Sequence, residues 1–238
     1  MAFCKDDFVE LITRFKAGGY TFRRFTDPVA QRTVVLRHDI DFSVEYAVEM
    51  AELEARLGVV ATYFFMLTGH AYNLLHKDSR RAVSAIRAMG HSVSLHFDPT
   101  VHEDVVAGFE EEKSAIEPIT GPLSVVSIHR PGDFLTNGRS LSVPHTYEKR
   151  YFEELKYISD SGGAFSYGYP TDDAAFAEGK PMHVLIHPIW WIAPGETASD
   201  VLRSWQAGHF AFLNAETSRN CRTFDGRGIV ESIGTGAA

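Results

Sequence analysis

Cysteine is almost missing from this chain: Cys4 and Cys221 are the only two among 238 residues. Two thiols are too few for a disulfide framework and lack the paired spacing of a zinc knuckle, so both are read as ordinary thiols. A basic surplus is missing as well. Lys and Arg number 23 against 31 Asp and Glu, a formal net charge of -8, and no run of Lys or Arg stands out. Nucleic acid is therefore not an expected partner, because gripping a phosphate backbone requires a basic face. No apolar stretch approaches the roughly 20 residues of a membrane span. The opening MAFCKDDFVELITRF places acidic residues where a secretory signal needs an unbroken apolar core. These absences lead us to expect no membrane span and a cytoplasmic location. Neither GxGxxG after the first strand nor GxxxxGK[ST] anywhere is present, which disfavours nucleotide-binding sheets built on those loops.

What is present is ordinary globular material: 45% apolar and 23% charged residues, enough to bury a core. Parallel β/α barrels reach this length as one unit, and no repeat or low-complexity linker divides the chain, so we expect a single domain over 1-238. Phe8, Leu11, Ile12 and Phe15 form the apolar stripe of a first helix. VVLRHDIDF predicts a buried strand; Ser43 can cap a helix carrying Tyr46, Met50, Leu53 and Leu57 on one face, with Gly58 as its stop. VVATYFFML predicts a second strand. The alternation continues through a helix with Val83, Ile86 and Met89 inward, the strand HSVSLHF, a helix with Val105, Phe109 and Ile116 inward, and the strand LSVVSIHR. LKYIS and MHVLIHP predict two more strands around the loop SGGAFSYGYPTDD, and the final GTGAA is expected to fray. Strands alternating with helices imply a parallel sheet, here a parallel β/α barrel, distorted or incomplete.

In such barrels the reactive groups sit where strands end. Ligand-type and acid-base residues collect at four such ends: Arg37-His38-Asp39-Ile40-Asp41, His96-Phe97-Asp98, His129-Arg130, and His187. Side chains alternate along a strand, so Asp39 and Asp41 share one side while His38 and Ile40 face the other. Parity likewise groups Ser94, His96 and Asp98, Ser127 with His129, and His183 with His187. Two neighbouring carboxylates both ionise only with a cation or an arginine between them. An aspartate with one or two histidines suits zinc or a similar divalent ion with an open position. Each piece also has a structural alternative. Asp41 and Ser43 can both cap the next helix, His96 and His187 can be satisfied interior residues, Arg130 can anchor a turn, and Trp190-Trp191 can be core.

LRHDID, followed by a helix and VVATYFF, resembles the first motif of the polysaccharide deacetylases of the NodB-homology group, also called carbohydrate esterase family 4. There a strand ends in paired aspartates, and a helix leads to a strand reading ATFF. GHSVSLH resembles that family's second motif, and HRPG and LIHP resemble its arginine-proline and leucine-x-histidine motifs. The resemblance spans Val34 to Pro188. The strings HDID, LHFD, HRP, YISDS and HP are similar to a divergent subgroup associated with surface-polysaccharide synthesis. The resemblance implies a NodB-like barrel of about seven strands. It also implies a metal-dependent carbohydrate deacetylase that removes an N-acyl group, acetyl or formyl, from an amino sugar.

Carried over residue by residue, the resemblance makes Asp39 the base and Asp41 a metal ligand. Ile40 between them leaves the reverse order open. His96 matches the first metal histidine, Arg130 the arginine that orients the base, and His187 the histidine that protonates the leaving amine. Where the family has its second metal histidine, this chain has Thr100. His129 is the preferred substitute ligand and His102 the runner-up. The implied cofactor is a divalent metal, zinc first. The implied partner is a small amino-sugar substrate, free or nucleotide- or lipid-linked. Trp190 and Trp191 either offer a sugar ring an apolar face or pack in the core. Two rivals remain: a related barrel that hydrolyses another ester or amide, and a non-catalytic carbohydrate-binding relative, which Thr100 favours.

Overall fold

A computed structural model of the chain describes residues 3–224, so the GTGAA end lies outside the described residues. The elements run α1 (Lys5–Ala17), β1 (Thr21–Arg23), β2 (Thr33–Ile40), α2 (Val44–Leu57), β3 (Thr62–Phe65), α3 (Lys77–Ala88) and β4 (Ser92–Phe97). Then follow α4 (Val105–Thr120), β5 (Ser127–Ile128), α5 (Gly132–Thr136), α6 (Lys149–Phe152), β6 (Lys156–Ser159), α7 (Ala174–Ala177), β7 (Met182–Ile186), α8 (Ile189–Ile192) and α9 (Ala198–Asn220). The local signals act as chemistry requires. Ser43 accepts a hydrogen bond from the Tyr46 amide at 3.2 Å to start α2, and Gly58 ends it in the left-handed region at φ 66.

All seven strands are parallel, in the order β5-β4-β3-β2-β7-β6, with β1 paired to the start of β2. Laid flat, β5 and β6 would stand roughly 24 Å apart. Yet Ile128 at the end of β5, His129 and Arg130 just after it, and Ser161 and Gly162 after β6 line one cavity of about 330 Å³. The sheet therefore curls almost into a ring. It does not close through a β5–β6 ladder. A single parallel bridge from Val126 to His145 occupies the free edge of β5, and the Tyr147 ring stands 6.3 Å from that of Tyr157 on β6. This is the incomplete parallel β/α barrel that the strand-helix alternation predicts.

Parity sorts each strand into two environments. Val34, Leu36 and Ile40 of β2, with Tyr63, Phe65, Leu95, Phe97, Val184 and Ile186, join the large core beneath the helices. Val35 faces the ring interior, where Phe25, Phe64, Val125, Tyr151 and Leu155 form a separate apolar plug. His38 points outward, as its register predicts. Its Nε2 lies 2.7 Å from Glu54 Oε1, and Tyr63 donates to the other Glu54 oxygen at 2.6 Å. Toward the strand ends the interior turns polar: Arg37, Asp39, His96, Ser127 and His183 are all buried.

Helices α5, α6 and α9 depart from the sequence reading. The longest helix, α9, has only Val201 buried, so it lacks the apolar stripe by which helices are recognised. Short α5 and α6 fall where no periodicity can build up. Among the described residues no helix is long and apolar enough to cross a membrane. The packing can be tested directly. Leu36→Ala, fully buried on β2, is expected to cost about 2–5 kcal/mol in urea unfolding. Leu213→Ala on α9, 49% exposed, is expected to stay within about 0.5 kcal/mol. Equal losses would mean that the two positions are not buried as described.

Candidate active site

At the carboxyl end of β2 the Asp39 carboxylate lies against Arg37, two residues earlier on the same inward face. Arg37 Nε donates to Oδ1 at 2.9 Å and Nη2 to Oδ2 at 2.7 Å, and both residues are buried. Burial alone would raise the Asp39 pKa. The Arg37 guanidinium, helped by His96, reverses this and holds the carboxyl well below the usual range. Arg37 is in turn flanked by the Tyr147 ring at 5.1 Å and the Phe64 ring at 5.9 Å.

Asp41 does not cap α2; Ser43 does. Instead Asp41 Oδ1 stands 3.2 Å from His96 Nε2 and 3.7 Å from His129 Nδ1. The two imidazole nitrogens face each other at 3.1 Å. The three atoms belong to one potential metal-holding group. Their separations approach the roughly 3.3–3.6 Å edges of a tetrahedron with bonds of about 2.0–2.2 Å. His96 Nδ1 lies 2.6 Å from Ser127 Oγ, so a proton on Nδ1 leaves the Nε2 lone pair turned inward. Burial, then the nearby His96, lowers the His129 pKa and favours its neutral form. Asp41 Oδ1 is buried without a hydrogen bond. Burial would raise the Asp41 pKa, but His96 and His187 lower it. A buried anion and two inward lone pairs require positive charge between them, and the donor set fits a small divalent ion.

His187, just after β7, stands on the other side of Asp41, its Nε2 3.8 Å from Oδ2. Its Nδ1 meets Asp160 Oδ1 at 2.6 Å, its backbone amide donates to the same carboxylate at 3.1 Å, and Trp191 Nε1 donates to Oδ2 at 2.8 Å. Burial would depress the His187 pKa; Asp160, then Asp41, push it up to about 9. One cavity thus holds a carboxylate kept ionised, an imidazole kept protonated, and an acceptor trio between them.

The remaining expectations divide. Arg130 lines the cavity, but its guanidinium lies 3.7 Å from Asp98 and its side chain is 67% exposed; the place beside Asp39 belongs to Arg37. His102 lies outside the trio, with Nε2 2.6 Å from Glu112 and its ring stacked on Phe97. Thr100 donates from both its amide and its hydroxyl to Asp98 Oδ1, at 2.9 and 2.6 Å. His183 shares the parity of His187 but sits deeper. Burial and Arg37 lower its pKa to about 3, and its Nδ1 stands 3.0 Å from the Tyr151 carbonyl. The tryptophans separate too: Trp191 stacks on Phe3 in the core, whereas Trp190 lines the cavity. Two residues carry roles that the sequence reading did not assign. Arg37 was readable from parity with Asp39. Asp160 was visible only as the aspartate within YISDS, just after β6.

No family model and no curated protein matches this chain. Solved structures similar to it include the catalytic domain of a peptidoglycan N-acetylglucosamine deacetylase from Eubacterium rectale. That match has 17% identity and a TM-score of 0.45, over 79% of this chain and 89% of that one. A peptidoglycan deacetylase from Bacillus subtilis matches at 14% identity and TM-score 0.48, over 76% and 85%. A chitin deacetylase from Colletotrichum lindemuthianum matches at 15% identity and TM-score 0.42, over 73% and 81%.

The His187–Asp160 pair has a pH signature. The folded pKa of about 9 lies above the unfolded value of about 6.5. Its contribution to stability is therefore complete below pH 6.5 or so and is lost as pH rises through about 9. In Asp160→Asn the His187 titration, followed by histidine NMR, is expected to move down toward the ordinary range. An unmoved titration would remove Asp160 as the cause.

Proposed function

We propose that this chain is a metal-dependent hydrolase that removes an N-acyl group, acetyl or formyl, from an amino sugar. The observation that carries this reading is the pairing of opposite protonation states across one acceptor trio: Asp39 held ionised by Arg37, and His187 held protonated by Asp160. Groups with pKa values pushed apart in one cavity are the signature of an assigned base and acid.

Asp41, His96 and His129 would hold the ion. When bound there, a divalent ion such as zinc supplies Lewis acidity toward an acyl oxygen and lowers the pKa of a water. Asp39 receives the proton of the attacking water on a carboxylate oxygen, while Arg37 fixes its orientation. The water oxygen bonds to the acyl carbon, the carbon–nitrogen bond breaks, and His187 donates the Nε2 proton to the departing amine. The products are a carboxylic acid and a free amine. Trp190 and Phe42 in the cavity wall offer a sugar ring an apolar face. The cavity of about 330 Å³ suits one sugar with its acyl group. A cytoplasmic precursor in surface-polysaccharide synthesis, nucleotide- or lipid-linked, is the substrate setting we favour.

Protein loaded with zinc or cobalt is expected to release acetate or formate from N-acylated amino sugars, scored by an amine-reactive dye. His187→Asn should lower kcat by about 10²–10⁴-fold while metal content stays at wild type. Asp41→Ala and His96→Ala should lose the metal itself. The kcat/KM of the wild type should decline as pH rises through about 9, where His187 gives up its proton. A folded protein that takes up less than about half an equivalent of either metal in excess, or binds acylated sugars without releasing acid, would overturn the hydrolase reading.

A further inference from the structure

Arg130 is the residue whose position is least explained by the chemistry above. Arg37 already supplies a guanidinium to both Asp39 oxygens, so Asp39 needs no second one. The backbone of Arg130 is nevertheless distinctive. With Arg32 it is one of two non-glycine residues at positive φ among the described residues, at 49°. The backbone of Arg32 is pinned on both sides: its amide donates to Gly179 and its carbonyl accepts from Thr21, each at 2.8 Å. Arg130 instead precedes Pro131, a place where the extended backbone is favoured. An L-residue in the left-handed region costs about 1–2 kcal/mol, and such strain persists mainly where a side chain has to be aimed. Here it falls just after β5, at a residue that lines the cavity together with His129, Pro131, His187 and Trp190. The ion-pair partner of that guanidinium, Asp98 Oδ2, is 3.7 Å away, beyond hydrogen-bond reach. The other Asp98 oxygen is taken by Thr100. The guanidinium of a residue that lines the cavity is thus left without a hydrogen bond among the described residues.

Resting on the reading of this cavity as a substrate site, we propose that Arg130 binds an oxyanion substituent, phosphate or carboxylate, carried by the acylated amino sugar. A guanidinium matches such groups with two parallel hydrogen bonds. The function of Arg130 is then selection among substrates, and the alignment of the base belongs to Arg37.

The test is equilibrium binding by calorimetry to the full chain loaded with zinc. The ligands are N-acetylglucosamine, its 1-phosphate, and N-acetylmuramic acid as the carboxylate-bearing analogue. Wild type is expected to bind at least one anionic sugar about tenfold to a hundredfold more tightly than the neutral one; which one it is distinguishes phosphate from carboxylate. Arg130→Gln should erase most of that preference, and Arg130→Lys, which keeps the charge but not the fork, should retain part of it. Equal affinity of wild type for all three sugars would overturn the proposal. So would a preference that survives in Arg130→Gln, as it must if the metal alone holds the anion, or equal weakening of neutral and anionic ligands by that variant. Because binding and acid release are read in separate experiments, the two proposals fail separately. A chain that prefers anionic sugars through Arg130 but hydrolyses none of them sinks the hydrolase reading alone, whereas hydrolysis without anionic preference sinks this one alone.

Discussion

The ion pair between Arg37 and Asp39 is the constraint around which the interior is arranged. Two charges this deep inside a ring of strands lose their hydration, and removing either one would strand the other at a cost of about 3–5 kcal/mol. Neighbouring groups conform to that demand. Tyr147 and Phe64 present ring faces to the guanidinium, and His183 is kept neutral beside it. Only then can Asp41 and His96 sit one layer higher, with Asp41 Oδ1 and His96 Nε2 turned toward each other. The apolar plug below, built on Phe25, Val35 and Phe64, seals the opposite end of the interior.

Above that layer, the site is assembled by topology more than by proximity in sequence. Asp41 follows β2, His96 ends β4, His129 follows β5, Asp160 follows β6 and His187 follows β7. Parallel strands point every one of these ends the same way, and curling brings the outermost of them to a single mouth. Asp160 and Trp191 then act on His187 from a neighbouring strand end and a core helix. The protonated imidazole is therefore a product of tertiary packing, and no local motif near His187 could have signalled it.

Much of this was legible in the residues. VVLRHDIDF read correctly as a buried strand with two faces, because β-branched runs and a period of two are strong local signals. The sharing of one face by Asp39 and Asp41, the outward turn of His38 and the inward stripe at Val83, Ile86, Phe109 and Ile116 follow from the same periodicities. What escaped was long-range or aperiodic. The partner of Asp39 was sought at Arg130, on a distant strand, when the register of β2 already placed Arg37 beside it. Helix α9 escaped because its outer turns bury nothing, and Asp160 because its worth depends on β7 lying next to β6.

The ladder joining β4 to β5 has its own consequence. It consists of two residue pairs, His96 with Ser127 and Phe97 with Ile128, the shortest ladder between named strands of the sheet. Asp41, His96 and His129 straddle that seam from β2 across to β5. An ion held by all three would act as a clasp on the weakest joint of the ring, so the curvature that shapes the mouth and the occupancy of its centre would rise and fall together.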